Sequence, residues 1–356
     1  MADPSHPEPP AVEPSEPVGR RSRQLRRIFL TAGIVVLAVG LVAAAAGVYV
    51  VHRFDHRIVR DTLLAARARS VTAAPHTPVA GPLNFLLIGS DLRSEDPDEG
   101  QRSDTIIVAH IDRALDKAYL LSIPRDLWVN IPPDSSLHFG GDTTKINAAF
   151  EYGGGGSGGT QLLSETLTGL LGIRFDGAAV MDFSGLEHAV DVVGGVQLCV
   201  PQPVVSIHTQ HVFNPGCQLM TGALALDYLR QRYQFADGDF ARQEHQQEFL
   251  KAFFTRALSA GALTNPIKLD DLLQSLAGAM VIDTGSTSVP DLVFALRGLR
   301  PNAVIGVKIP FYLDTVDKLS IVRASDEADG LYASLRADTL DSWVSGHTQW
   351  VNQLAQ

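Results

Sequence analysis

Asn84–Gly89 (NFLLIG), Thr105–Ile111 (TIIVAHI) and Ala118–Ile123 (AYLLSI) decide the fold. Each is a short apolar or β-branched run, and the first ends in glycine, so each reads as a buried strand. The link Asp112–Lys117 is too short for a parallel crossover and suits an antiparallel connection. Paired as an antiparallel meander, the end of the first run, the start of the second and the end of the third share one sheet edge. Asp91, Arg102, Asp104 and Arg125 all stand at that edge, with Arg93 beside them. Any one of them also reads as a capping carboxylate or a solvated loop charge. Four at one edge argue for a common task, and parallel pairing would scatter them.

A second polar group follows. Thr221–Leu229 (TGALALDYL) reads as a short helix capped by Thr221, with Arg230 and Arg232 next. Asp239 opens a helical stretch to Leu258. In it Asp239, Arg242, Gln243 and Gln246 fall on one face, while Leu250, Phe253, Phe254 and Leu258 form an apolar stripe. Helix physics alone also allows an N-cap followed by a solvated polar face. Arginines bind phosphate in bidentate fashion. Carboxylates are hard ligands for magnesium, often shared with substrate phosphates. The two groups together suggest a pyrophosphate. Lys145 reads equally as a surface lysine or a substrate contact. The run Gly153–Gly159 (GGGGSGG) lacks the Lys-Ser or Lys-Thr of a phosphate-binding loop and reads as a flexible connector before a helix from Gln161 to Leu171. Leu272–Met280 and Leu292–Leu299 read as further helices.

The start of the chain has a different character. Residues 1–27 carry six prolines and no hydrophobic period, and end in Arg20, Arg21, Arg23, Arg26 and Arg27. Ile28–Val51 then runs 24 residues without a charge, long enough to span a bilayer as a helix. A cleaved signal peptide, with Ala43–Ala46 as its cleavage region, is the competing reading. Arginines flank both sides of the span, so charge orients it only modestly. We read residues 1–27 as a disordered cytoplasmic tail, 28–51 as a transmembrane helix, 52–81 as a juxtamembrane linker and 82–356 as one extracytoplasmic domain. Within the linker, Asp55–Arg69 reads as a helix continuing from the span. An oxidising exterior would let Cys199 and Cys217 pair; otherwise they are two unrelated thiols.

Composition excludes several classes. The formal charge of -10 argues against a nucleic-acid partner. Two cysteines and the absence of an H-E-x-x-H motif argue against zinc. No G-x-S-x-G elbow and no repeat are present. Residues 1–80 hold ten arginines against six acidic residues, so the remainder is strongly acidic and its arginine clusters need a local reason.

Several stretches together resemble the LytR-CpsA-Psr family of bacterial envelope proteins. They are NFLLIGSDLR, QRSDTIIVAHID, LLSIPRDLWVNIP, TTKINAAFEYGG, MDFSGLEHAVDVVGGVQLCVPQPV, PGCQLMTGALALDYLRQRY and GDFARQEHQQEFL, in that order across a core of residues 83–258. The resemblance implies an α/β/α sandwich around a central mixed sheet, with a hydrophobic pocket for a polyprenyl chain. It implies transfer of a glycopolymer from a polyprenyl-pyrophosphate carrier to peptidoglycan, the acceptor being the 6-hydroxyl of N-acetylmuramic acid. It places magnesium on Asp91 and Asp104, and pyrophosphate on Arg102, Arg125, Arg230 and Arg232. Lys145, Asp239 and Gln246 also match functional positions, and Arg93, Arg242 and Gln243 stand beside them. Asp239 and Asp104 are both candidates for the general base. His245 departs from the family, which often has arginine there. A polyprenyl-pyrophosphate phosphatase and a non-catalytic glycolipid-binding regulator are the alternative functions.

Overall fold

The computed structural model describes residues 59–70, 78–90, 103–231, 235, 239–259, 268, 271–272, 274–275, 280–285 and 287–352. The tail and span read over residues 1–51 lie outside them. Among the described residues no helix is long and apolar enough to cross a membrane. In chain order the strands are β1 (Val59–Arg60), β2 (Leu83–Ser90), β3 (Ser103–Ile111), β4 (Ala118–Ser122), β5 (Trp128–Ile131), β6 (Asp142–Lys145), β7 (Gly177–Asp182), β8 (Val196–Val200), β9 (Val204–Val205), β10 (Val212–Phe213), β11 (Gly216–Met220), β12 (Met280–Asp283), β13 (Val304–Lys308), β14 (Phe311–Val316), β15 (Leu319–Ala324) and β16 (Val351–Asn352). The helices are α1 (Asn147–Tyr152), α2 (Gly156–Leu171), α3 (Phe183–Val192), α4 (Gly222–Leu229), α5 (Asp239–Ser259), α6 (Val289–Ala295), α7 (Glu327–Ala337) and α8 (Leu340–Gly346).

Eight strands form a mixed sheet in the order β1-β12-β7-β2-β3-β4-β13-β16. The meander is present: β2 pairs antiparallel with β3, and β3 antiparallel with β4. Side-chain alternation gives the sheet two apolar faces. Leu86, Ile88, Ile106, Val108, Tyr119 and Leu121 face α2 and α7 through Leu163, Leu167, Leu331 and Leu335. Ile107, Ala109, Ile111, Ala118 and Leu120 face Leu250 and Phe254 of α5 and Leu292 of α6. Helices therefore cover both faces, as an α/β/α sandwich requires.

The folded unit begins earlier than Pro82. Residues 59–70, read from the sequence as part of a helical linker, form β1 and a turn instead. Leu63, Leu64 and Ala68 are fully buried in the core. Val59 and Arg60 pair in parallel with β12, and Arg69 grips Asp283 through two hydrogen bonds of 2.9 and 2.5 Å. The backbone N–H groups of Leu63 and Leu64 also donate to Asp283. Burial alone would raise the Asp283 carboxyl, but Arg69 and the backbone donors hold it below the ordinary value. Its stabilisation is complete above the unfolded pKa near 4 and is lost as pH falls through the depressed native value. Asp283→Asn is expected to lose about 2 kcal/mol at neutral pH and to flatten the acid limb of stability. Denaturant midpoints from pH 7 down to pH 2 measure both. An acid limb as steep in the variant as in the wild type contradicts this role.

The C-terminal third also differs from expectation. Residues 271–272 and 274–275 are helical, but Met280 begins a strand, and Leu292–Leu299 divides between α6 and a 3-10 turn at Leu296–Gly298. β13 lies beyond the core read from the sequence and joins the sheet beside β4. The glycine run is not a flexible connector. Helix α2 already starts at Gly156, and a Cβ on Gly159 would lie 2.4 Å from the Phe150 carbonyl oxygen. Glycine is needed there because α1 and α2 meet backbone to backbone.

Candidate functional site

The ends of β2, β4, β7 and β13 and the start of β3 lie at one edge of the sheet, since Ser90 pairs with Ser103 and Asp182, and Ser122 with Ile107 and Lys308. This is the edge that the sequence expects to be polar. Pairing passes from Gly89–Thr105 to Ser90–Ser103, so Asp104 is the extra residue of a β-bulge. Bulges re-aim side chains at sheet edges. Asp91, Arg93, Arg102 and Arg232 lie outside the described residues, as do the side chains of Asp104 and Asp239.

Arg125 follows β4 directly. Pro124 starts a turn in which the Leu127 N–H donates to the Pro124 carbonyl at 2.9 Å, and the Arg125 carbonyl accepts from the Asn147 N–H at 3.1 Å. These two bonds fix the arginine's backbone at the sheet edge. Lys145 comes to the same place on β6. Its Nζ lies 2.9 Å from Asp126 Oδ1, and both side chains are mostly buried. Asp126, the ion-pair partner of Lys145, is a residue that the sequence reading did not single out as a candidate, although it stands next to Arg125 in the same motif.

Helix α5 runs antiparallel to β4. Its C-terminal half, Leu250 and Phe254, packs near the start of β4, whereas Gln247 bonds Leu120 and Ser122, and Glu244 bonds Lys308 at the end of β13. Its first turns therefore point at the edge that holds Arg125. Arg242, Gln243 and Gln246 are 7%, 7% and 4% exposed, so the solvated-face reading fails. Gln246 Oε1, and Thr105 Oγ1 on β3, are buried and have no hydrogen-bond partner among the described residues. Buried polar atoms without partners are rare and call for an explanation such as a ligand. Arg230 is exposed at the end of α4. Thr221 precedes α4 but makes no side-chain cap; the Gly222 N–H donates instead to Asp191.

His245 is buried among aromatic rings, 4.8 Å from Tyr228 and 4.6 Å from Phe235 between centroids. Its Nε2 meets the Tyr228 hydroxyl at 3.2 Å, and burial pushes its pKa down to about 4. A neutral, enclosed imidazole is no phosphate contact, so the departure from arginine removes that contact. Cys199 and Cys217 stand opposite each other on β8 and β11 and are joined in a disulfide, which excludes two unrelated thiols. Closing that loop of 18 residues contributes about 3 kcal/mol on the chain-entropy estimate.

No cluster of three or more His, Cys, Asp or Glu suited to a metal occurs among the described residues. Asp91 and the side chain of Asp104, the pair expected to hold magnesium, lie outside those residues.

The LytR_cpsA_psr family model matches residues 48–330. The chain is 34% identical over 320 residues to the probable cell wall biosynthesis protein LcpB of Corynebacterium glutamicum, covering 85% of this chain and 70% of that protein. It is 29% identical over 268 residues to the polyisoprenyl-teichoic acid–peptidoglycan teichoic acid transferase TagU of Oceanobacillus iheyensis, covering 75% and 76%. Among solved structures, Bacillus subtilis TagV is similar with a TM-score of 0.60 and 25% identity, over 73% of this chain and 98% of that one. TagT bound to LIIa-WTA is similar in fold, with a TM-score of 0.59 and 22% identity over 78% and 98%.

Proposed function

The chain belongs to the LytR-CpsA-Psr family, and from that premise we propose that it transfers a glycopolymer from a polyprenyl-pyrophosphate carrier to peptidoglycan in cell-wall assembly. The observation that carries this reading is that Lys145 pairs with Asp126, the neighbour of Arg125, at the sheet edge toward which the first turns of α5 run. The names of the relatives, which include teichoic acid–peptidoglycan transferases, support the same direction.

In the proposed reaction a hydroxyl of a peptidoglycan sugar attacks the sugar-side phosphorus. One P–O bond forms, the P–O bond to the bridging oxygen breaks, and polyprenyl phosphate leaves with the electron pair. The acceptor proton passes to a carboxylate, Asp239 or Asp104. Arg125, with Arg102, Arg230 and Arg232, would hold the pyrophosphate and offset the charge that builds on its oxygens. Lys145 would add a point charge, oriented by Asp126. Arg93, Gln243 and Gln246 would position the headgroup. Asp91 and Asp104 would hold magnesium, which neutralises phosphate charge when bound. The span 28–51 would anchor the domain outside the membrane with its N-terminus in the cytoplasm. A disulfide suits that oxidising side. A pocket for the prenyl chain completes the proposal.

The test uses the purified full chain, a polyprenyl-pyrophosphate-linked glycan and peptidoglycan, with and without magnesium. The expected products are polyprenyl monophosphate and glycan bound through a phosphodiester, in a magnesium-dependent reaction. Release of glycan to water despite abundant acceptor would make the protein a phosphatase. Binding without turnover would make it a glycolipid-binding regulator.

A further inference from the structure

A cleft of about 580 Å³ opens between β5, α2 and the 61–70 segment, on the opposite face of the sheet from α5. Its size falls within the range of small-molecule sites, about 300–1,000 Å³. Trp128 forms one wall, with Asn130 beside it. Arg67, Glu165 and Thr168 supply further polar groups. We propose that this cleft is a sugar subsite that holds an uncharged pyranose ring of the acceptor strand. The name of the acceptor rests on the transfer reading; the existence of the subsite does not.

Three observations point to a sugar. A partly exposed tryptophan offers a flat apolar face, and the polar groups around it match a ring of hydroxyls. Thr168 Oγ1 is buried without a hydrogen-bond partner among the described residues. Gly169 sits within α2, where glycine weakens a helix, yet a Cβ built on it would meet nothing within 4 Å. Packing therefore does not require glycine there, and its absent side chain keeps the cleft open.

Two further observations choose the acceptor. The charged groups Arg67 and Glu165 face each other at 3.3 Å, so the lining has no net charge and does not favour a phosphate-rich polymer. Trp128 stands directly opposite Lys145 in the β5–β6 ladder, and opposed residues project to the same face. A ring seated on Trp128 thus adjoins the lysine that the transfer reading places at the phosphate edge.

The experiment is calorimetric titration of the full chain in detergent with an N-acetylglucosamine tetramer, and separately with poly(glycerol phosphate). The tetramer is expected to bind saturably. Trp128→Ala should weaken it at least tenfold, whereas Trp128→Phe, which keeps an aromatic face, should weaken it less than threefold. Gly169→Leu fills the cleft and should abolish binding while raising the thermal midpoint, so loss of fold does not explain its effect. Binding of the polyprenyl-pyrophosphate donor, measured without acceptor, should stay at the wild-type affinity in all three. Absence of tetramer binding to the wild type, or equal binding by all variants, overturns the subsite. Binding of poly(glycerol phosphate) that is lost in the same variants overturns the acceptor assignment. Trp128-dependent tetramer binding without any transfer to peptidoglycan sinks the transfer reading alone.

Discussion

Arg125→Ala is expected to fold normally and to lose glycan transfer by about 10²- to 10³-fold, the scale of removing one preorganised donor to a developing oxyanion. The arginine's backbone is held by the turn at Pro124 and by the bond from Asn147, neither of which uses the side chain. The substitution should therefore leave the thermal midpoint nearly unchanged. The loss should fall mainly on kcat, because charge grows on the phosphate oxygens as the bridging bond breaks. Arg125→Lys separates two roles. A lysine restores charge but not the planar, two-pronged geometry, so partial recovery marks a charge effect and no recovery a bidentate one. The measurement is release of polyprenyl phosphate and glycan attachment under saturating donor. A wild-type rate in Arg125→Ala would take this arginine out of the site.

The meander was legible in the sequence because strand runs of this length leave little choice. NFLLIG, TIIVAHI and AYLLSI are β-rich and closely spaced, and their order alone brings Arg125 to the edge where Asp104 bulges. What was not legible depended on partners distant in sequence. Residues 59–70 look like a linker until β12, some 220 residues later, supplies Asp283 to cap them. The GGGGSGG run looks flexible until Phe150 is seen to leave no room for a side chain at Gly159. The polar face of α5 looks solvated until Arg242, Gln243 and Gln246 are seen to be buried. Periodicity reports which residues share a face and is silent on what that face meets.

Gln247 is the strongest instance, and replacing it is expected to have the largest effect on stability. It is fully buried and bridges two neighbouring strands from the helix above them. Its Nε2 lies 2.7 Å from the Leu120 carbonyl, 2.7 Å from Ser122 Oγ and 3.2 Å from the Val307 carbonyl, and its Oε1 accepts from Asn352. Gln247→Ala strands the Asn352 amide and the Ser122 hydroxyl and leaves a cavity, which together should cost about 3–5 kcal/mol. Gln247→Met keeps the volume but not the amide, so a loss close to that of alanine would assign most of the effect to hydrogen bonding. Gly306 gives an independent handle on the same contact. A Cβ there would lie 2.4 Å from Gln247 Oε1, so Gly306→Ala should push the amide off its partners. In a double-mutant cycle the Gly306→Ala penalty should shrink by at least about 1 kcal/mol once Gln247 is alanine, because the clash has gone. Denaturant unfolding of the four proteins measures that coupling. Additive losses would mean that glycine is required at 306 for some other reason and that Gln247 does not hold the helix to the sheet.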